Sequence, residues 1–252
     1  MGTPILLTTT DSRNHDRHDS AGGSSCLDLD IAARAAIIYR PVGMPRVDMN
    51  PAKHESKTLF LDVALQLIRA KGYEATSVDD LCSAAHLSKG SFFHHFESKE
   101  ELALAAAAYF AARADDFFSG APYRSLADPL ARLLGYVDFR QSLLQGELPE
   151  FTCLLGTMVQ ETYQTHPAIR AACERHISEH AATLSRDIAE AKKRYAPRAR
   201  WSVESLGLFT QATIQGAFIL AKAKDGPDAA RECLRHLRRY LVMLFGQTKP
   251  KE

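Results

Sequence analysis

Residues 77–99, Ser-Val-Asp-Asp-Leu-Cys-Ser-Ala-Ala-His-Leu-Ser-Lys-Gly-Ser-Phe-Phe-His-His-Phe-Glu-Ser-Lys, constrain the fold more than any other stretch. They prescribe two short helices joined by a tight turn, and then the start of a third. Ser77 with Asp80 three residues on has the spacing of a capping box. Val78, Leu81 and Ala85 then share one helical face. Ser88 is placed to cap the next helix, beginning at Lys89. That helix is too short to hold itself, yet it carries Lys, Ser, Phe and His in a turn and a half. A short exposed helix held by a partner is how a helix-turn-helix presents side chains to a DNA groove. The stretch therefore predicts a DNA-binding chain.

Bulk properties limit how that binding works. The 252 residues, 46% of them hydrophobic, suffice for one large helical unit or two small domains. The net charge of +1 excludes the global basic excess of a non-specific nucleic-acid coat. Even between Pro51 and Glu100, Lys53, Lys57, Arg69, Lys71, Lys89 and Lys99 are balanced by Glu55, Asp62, Glu74, Asp79, Asp80, Glu97 and Glu100. Contact must be local, with affinity coming from two copies acting together. Five scattered cysteines (Cys26, Cys82, Cys153, Cys173, Cys233) without a CxxC pair imply a reduced, cytoplasmic protein. No apolar run reaches the ~18 residues of a membrane span, and the N-terminus lacks a signal-peptide pattern. No membrane partner is expected.

The chain divides unevenly. Residues 1–50 are expected to be a disordered extension, dominated from Thr8 to Ser25 by Thr, Ser, Asp, Arg and His. Ile31 to Tyr39 is a short apolar patch with room for a helical turn. Met44 and Met49 leave two readings open: an upstream start, or a flexible arm. Residues 51–97 are expected to hold three helices, the first with Phe60, Ala64, Leu67 and Ile68 at helical spacing and Gly72 as its stop. Ser98 caps a long Ala-rich helix with Glu100 and Glu101 in its first turn, running to about Ser119. Further helices are expected from Asp128-Pro129 to Gln145, from about Glu150 to Gln164, from His166-Pro167 to near Tyr195, from Ser202 to Lys224, and from Asp225-Gly-Pro227 to near Phe245. The fold class is all-α, with about nine helices. A three-helix N-terminal DNA-binding domain precedes a larger helical domain over 98–248.

Gly72-Tyr73, Thr76-Ser77, Leu81-Cys-Ser-Ala-Ala, Leu87-Ser-Lys-Gly-Ser-Phe-Phe-His-His-Phe96 and Ser98-Lys-Glu-Glu-Leu102 together resemble the tetracycline-repressor (TetR/AcrR) family of bacterial transcription regulators. The resemblance covers roughly Lys53 to Ala108. It is looser beyond, in helix number and length and in the segments Cys153-Leu-Leu-Gly-Thr and Thr165-His-Pro-Ala-Ile-Arg170. Two positions depart from the family pattern. His86 stands where the family usually has Gly; if φ is positive there, His is among the residues that tolerate it. Phe93 and His95 stand where Tyr is usual, and Phe93 cannot donate to phosphate.

The resemblance implies roles residue by residue. Lys89, Gly90, Phe93 and His94 face the major groove of a double-stranded operator. Ser77, Ser91, His95 and Lys99 approach phosphates, and Phe92 and Phe96 are buried. An effector pocket for a small organic ligand falls among Tyr109, Phe117, Tyr136, Phe139, Cys153, Met158, Tyr163, Trp201 and Phe209, although ordinary core is the plainer reading of each. The last two helices form a homodimer interface. Ala230, Cys233, Leu234, Leu237, Leu241 and Leu244 make a heptad-like seam, against a stripe of Val203, Leu206, Thr210, Thr213, Ala217 and Leu220. Packing within one chain is the competing reading.

The leading expectation is a ligand-responsive homodimeric repressor that needs no cofactor. An all-α metal-dependent enzyme is the alternative: Cys173, His176 and His180 fall at i, i+3 and i+7 on one helix. One helix supplies only part of a coordination shell, and no HExxH occurs. A nucleoid-type binder conflicts with the near-neutral charge. Cys153 as a redox sensor is weighed against an inert buried thiol, since neither Lys nor Arg lies near it in sequence.

Overall fold

The structure, a computed structural model, describes residues 56–246. The expected N-terminal extension lies outside the described residues. Within them the chain is helical throughout, and no helix is long and apolar enough to cross a membrane.

Helix α1 (Ser56–Lys71) buries Phe60, Ala64 and Ile68 along one stripe, whereas Leu67 is only half-buried. Gly72 ends it at φ +94°, a backbone conformation that L side chains rarely adopt, so a substitution there is strained. Helix α2 (Val78–Ala85) opens on the expected capping box between Ser77 and Asp80. It closes on His86 at φ 53° and ψ 37°, a left-handed cap filled by a non-glycine residue. Helix α3 (Lys89–His95) is capped by Ser88, whose Oγ accepts from Ser91 N at 3.1 Å. Its Phe92 stands edge-on to Phe60, ring centroids 5.4 Å apart, with Phe96 beside both. These contacts fix a seven-residue helix that could not persist alone.

Helix α4 (Lys99–Ser119) begins under Ser98, which accepts from Glu101 N. It links two apolar cores. The first joins α1–α3 to Leu102, Ala103, Ala106 and Ala107 of α4 and to Leu154, Met158 and Ile169 further on. The second holds the far end of α4 with α5 (Pro129–Ser142), the second half of α8 (Pro167–Tyr195), α9 (Val203–Ala223) and α10 (Asp228–Leu244). A 3-10 turn at Pro122–Ser125 precedes α5.

The helix expected over about 150–164 is two. Helix α6 (Leu148–Phe151) is a single turn, and α7 (Leu154–Thr162) follows after a break. Thr152 and Cys153 in the break are extended, at ψ 162° and 125°. One tertiary bond and one local bond meet at the break. Arg69, buried in α1, donates to the Thr152 carbonyl oxygen at 3.4 Å, while the Thr152 hydroxyl donates back to Leu148 O at 2.8 Å. Ten α-helical segments therefore replace the expected nine among the described residues.

The residues expected at the dimer seam lie mostly inward in the subunit. Leu206, Ala217, Leu234, Leu237 and Leu241 are buried inside the subunit, packed with α5 and α8. Leu244 is half-buried against the same core, and the half-buried Thr213 returns its hydroxyl to Phe209 O at 2.9 Å. The strongest apolar stripe of α9 and α10 closes the subunit's own core. Their outer face instead exposes Leu208, Phe209, Ile219, Leu220, Tyr240 and Met243.

Candidate nucleic-acid interface and ligand cavity

Burying Phe92 and Phe96 turns the other side of α3 outward. Phe93 is 55% exposed, and His94, Gly90 and Lys89 lie on the same open surface. Gly90 is not demanded by packing: a Cβ there would meet only Ser88 Oγ, at 3.6 Å. The Lys89 ammonium pairs with Asp79 at 2.7 Å, both side chains largely in solvent.

The residues expected at phosphates are more constrained. Ser77 Oγ accepts from Asp80 N at 3.1 Å and donates to Asp80 Oδ2 at 2.7 Å. The hydrogen-bonded Lys71 ammonium and the Ser77 bonds hold the Asp80 carboxyl at about 2. Ser91 is half-buried. His95 Nε2 is hydrogen-bonded to Ser56 Oγ across the α1 interface. Lys99 Nζ donates to Tyr73 O at 3.1 Å and lies 4.1 Å from the centroid of the Tyr73 ring. His95 and Lys99 are thus folded onto the domain, and would have to exchange these partners to reach a phosphate.

A cavity of about 100 Å³ lies among α1, α4, α5, α6, α7, α8 and α9. Phe117, Phe118, Leu143, Leu144, Phe151 and Leu155 supply an apolar wall. Arg140, His180, Gln211, Gln215 and Cys153 supply polar points. Immediately behind, Tyr136 Oη accepts from Arg140 Nε at 3.0 Å and from Gln211 Nε2 at 3.1 Å. Its own proton is then directed to His180 Nε2, 3.0 Å away. Burial, and then the positive charges of Arg140 and Arg124, push the His180 imidazole down to about 3.

Of the residues expected at an effector, Phe117 and Cys153 reach this wall. Tyr136 stands one layer back, and Phe139 packs behind Phe117 with ring centroids 5.3 Å apart. Tyr109 faces α1 instead, donating to Asp62 Oδ1 at 3.0 Å and accepting from Arg113. Met158 is fully buried in the first core. Tyr163 is 51% exposed just past α7. Trp201 packs on Phe245, and Phe209 lies on the outer face beside Tyr240. The sequence reading missed Arg140. Its signal was the i, i+4 pairing with Tyr136 on a helix whose apolar face needs no cation.

Cys173, His176 and His180 do not converge. Cys173 is buried and its thiol is pushed up to about 12 by desolvation. His176 bonds Glu179 at 2.9 Å, and His180 faces Tyr136. Among the described residues no group of three His, Cys, Asp or Glu side chains is arranged to hold a metal.

Two family models match these same regions. That of the bacterial regulatory proteins of the tetR family covers residues 60–106, and that of the tetracyclin repressor-like C-terminal domain covers residues 129–237. The chain belongs to the TetR family. It is 32% identical over 137 residues to the transcriptional regulator AcuR of Cereibacter sphaeroides, a match covering 53% of this chain and 58% of that protein. It is 40% identical over 58 residues to the HTH-type transcriptional repressor KstR2 of Rhodococcus jostii, covering 23% and 28%. These matches span little more than half of the one relative and about a quarter of the other. A match to the HTH-type transcriptional repressor DhaR of a Mycobacterium species is 26% identical and covers 76% of this chain and 91% of that one. A solved TetR transcriptional regulator from Chloroflexus aurantiacus superposes with a TM-score of 0.66 at 26% identity, over 74% of this chain and 94% of that one.

In this TetR-family chain α1 and the loop after it are bonded to the segment from Thr152 to His166. Besides the Arg69–Thr152 bond, Glu74 N donates to Glu161 Oε2 at 2.9 Å, and the Tyr73 ring meets His166 edge-on at 5.3 Å. Thr152 itself lines the cavity.

Proposed function

We propose that this chain is a cytoplasmic, ligand-responsive transcriptional repressor with no catalytic step, binding a palindromic operator as a homodimer. The reading unit is residues 51–97 and the effector and dimerisation unit residues 98–248. The observation that carries the proposal is α3: a seven-residue helix anchored by two buried phenylalanines, presenting Lys89, Gly90, Phe93 and His94 to solvent. Two of the relatives bear the name of repressors, which supports the sign of the regulation. The exposed apolar face of α9 and α10 supplies the surface for a second copy, and two-fold symmetry sets two α3 helices on one duplex. Ser77, Ser91, His95 and Lys99 are the phosphate-side set.

The effector site is the cavity. Helix α4 starts at Lys99, beside α3, and ends at Phe117 and Phe118 in the cavity wall. A ligand there tilts α4, and the separation of the two α3 helices no longer fits successive grooves. A hundredfold loss of operator affinity requires roughly 3 kcal/mol of preference for the DNA-free state. Gel-shift with the chain's own upstream DNA tests the proposal. Sequence-specific, salt-sensitive binding relieved by a small molecule is expected; equal binding to unrelated duplexes overturns it.

A further inference from the structure

Arg140 is a half-buried guanidinium without a counter-ion among the described residues. Among the described residues its polar partners are Tyr136 Oη at 3.0 Å and His180 Nε2 at 3.4 Å, both uncharged, and no carboxylate pairs with it. Its plane lies over the Phe118 ring, 4.3 Å from the centroid. Burying a charge without an opposite charge is unfavourable. A guanidinium carries five donors in a fixed fork; these two contacts leave donors uncommitted in the cavity wall.

We infer that the cavity takes a small organic anion, its carboxylate seated on Arg140 and its apolar body against Phe117, Phe118 and Leu155. The inference rests on reading the cavity as the effector site. Two parallel N–H···O bonds from the guanidinium match a carboxylate in geometry and charge. Size limits the occupant: about 100 Å³ is less than the roughly 150 Å³ that accommodates benzene in an apolar site, so a short-chain carboxylate such as butyrate fits better than an aromatic one. The acids in the wall do not favour a cation instead. Glu179 is bonded to His176 at 2.9 Å, and Glu150 accepts from Glu147 N at 2.8 Å. Asp115 is exposed, where solvent screens its charge. The His180 imidazole beside Arg140 is held low by burial first, and then by the positive charges of Arg140 and Arg124.

The test is calorimetric titration of the full chain with butyrate and benzoate, their amides butanamide and benzamide, and benzylamine. At least one carboxylate should bind about tenfold or more tightly than its amide, because a charge-assisted pair in a low-dielectric site is worth at least that much. Arg140→Gln should remove the preference and Arg140→Lys should keep part of it, with thermal unfolding of the free variants confirming that each is folded. Equal affinity for acid and amide, preference for the amine, or no binding of any probe at millimolar concentration overturns the inference. Operator release, followed in parallel, separates the two claims. Amides that bind and release DNA leave the effector site standing without its anion. Carboxylates that bind through Arg140 without releasing DNA leave the anion site standing without its regulatory role.

Discussion

His86 holds the turn between α2 and α3 at φ 53°, a conformation that costs an L-residue of this kind about 1–2 kcal/mol. Glycine would remove that cost and give back about 0.5–1 kcal/mol in unfolded-chain entropy. His86→Gly should therefore stabilise the protein by about 0.5–1 kcal/mol, read as a higher urea midpoint at unchanged slope. His180 makes a second residue-scale prediction. Its native imidazole stays neutral down to about 3, whereas an unfolded one protonates near about 6.5. Between those values the unfolded chain binds the extra proton, so stability falls as pH falls. His180→Gln should lose less stability than the parent between pH 7 and pH 5 in urea titrations; an equal loss would show that His180 does not contribute. Caps were legible at this scale because each needs one side chain and a neighbouring amide: Ser77, Ser88, Ser98 and Ser202 all accept as their positions foretold, and Asp128 does so too before the Pro129 that marked its helix. The partners of Lys99 and His95 were not, because Tyr73 and Ser56 reach them only through tertiary packing.

At the scale of elements, periodicity placed the helices but not their partners. The stripe Leu234, Leu237 and Leu241 read equally as a seam between copies or as a face toward α5, and local spacing cannot choose between them. The structure turns it inward and leaves a mixed outer face of Leu208, Phe209, Ile219, Leu220, Tyr240 and Met243. Likewise, the break at Thr152 presents its carbonyl to Arg69, eighty-three positions away in sequence. The outer face makes its own prediction. Ile219 is 47% exposed in the subunit, so Ile219→Asp should change subunit stability by no more than about 0.5 kcal/mol. It should nonetheless give monomers in sedimentation, since the charge would be buried between two copies. Leu237→Asp, by contrast, should unfold the subunit. An Ile219→Asp protein that still sediments as a dimer would move the interface off this face.

For the whole molecule, the architecture and the reading unit were legible because the helix-turn-helix is local in sequence, complete within residues 77–99. The cavity was not, because its wall is gathered from seven helices and most of its aromatic neighbours look the same in sequence as core. The central claim, that α3 reads DNA in a symmetric pair, is tested most directly by selecting binders of the full chain from a random duplex library. The account predicts an enriched inverted repeat with half-sites about 10 base pairs apart centre to centre. It also predicts that His94→Ala, a change on the open face of α3, relaxes the base preference at one symmetric pair of positions and leaves the spacing unchanged. A library that emerges without enrichment, or an identical repeat selected by the His94→Ala protein and by a Phe93→Ala protein, would contradict it.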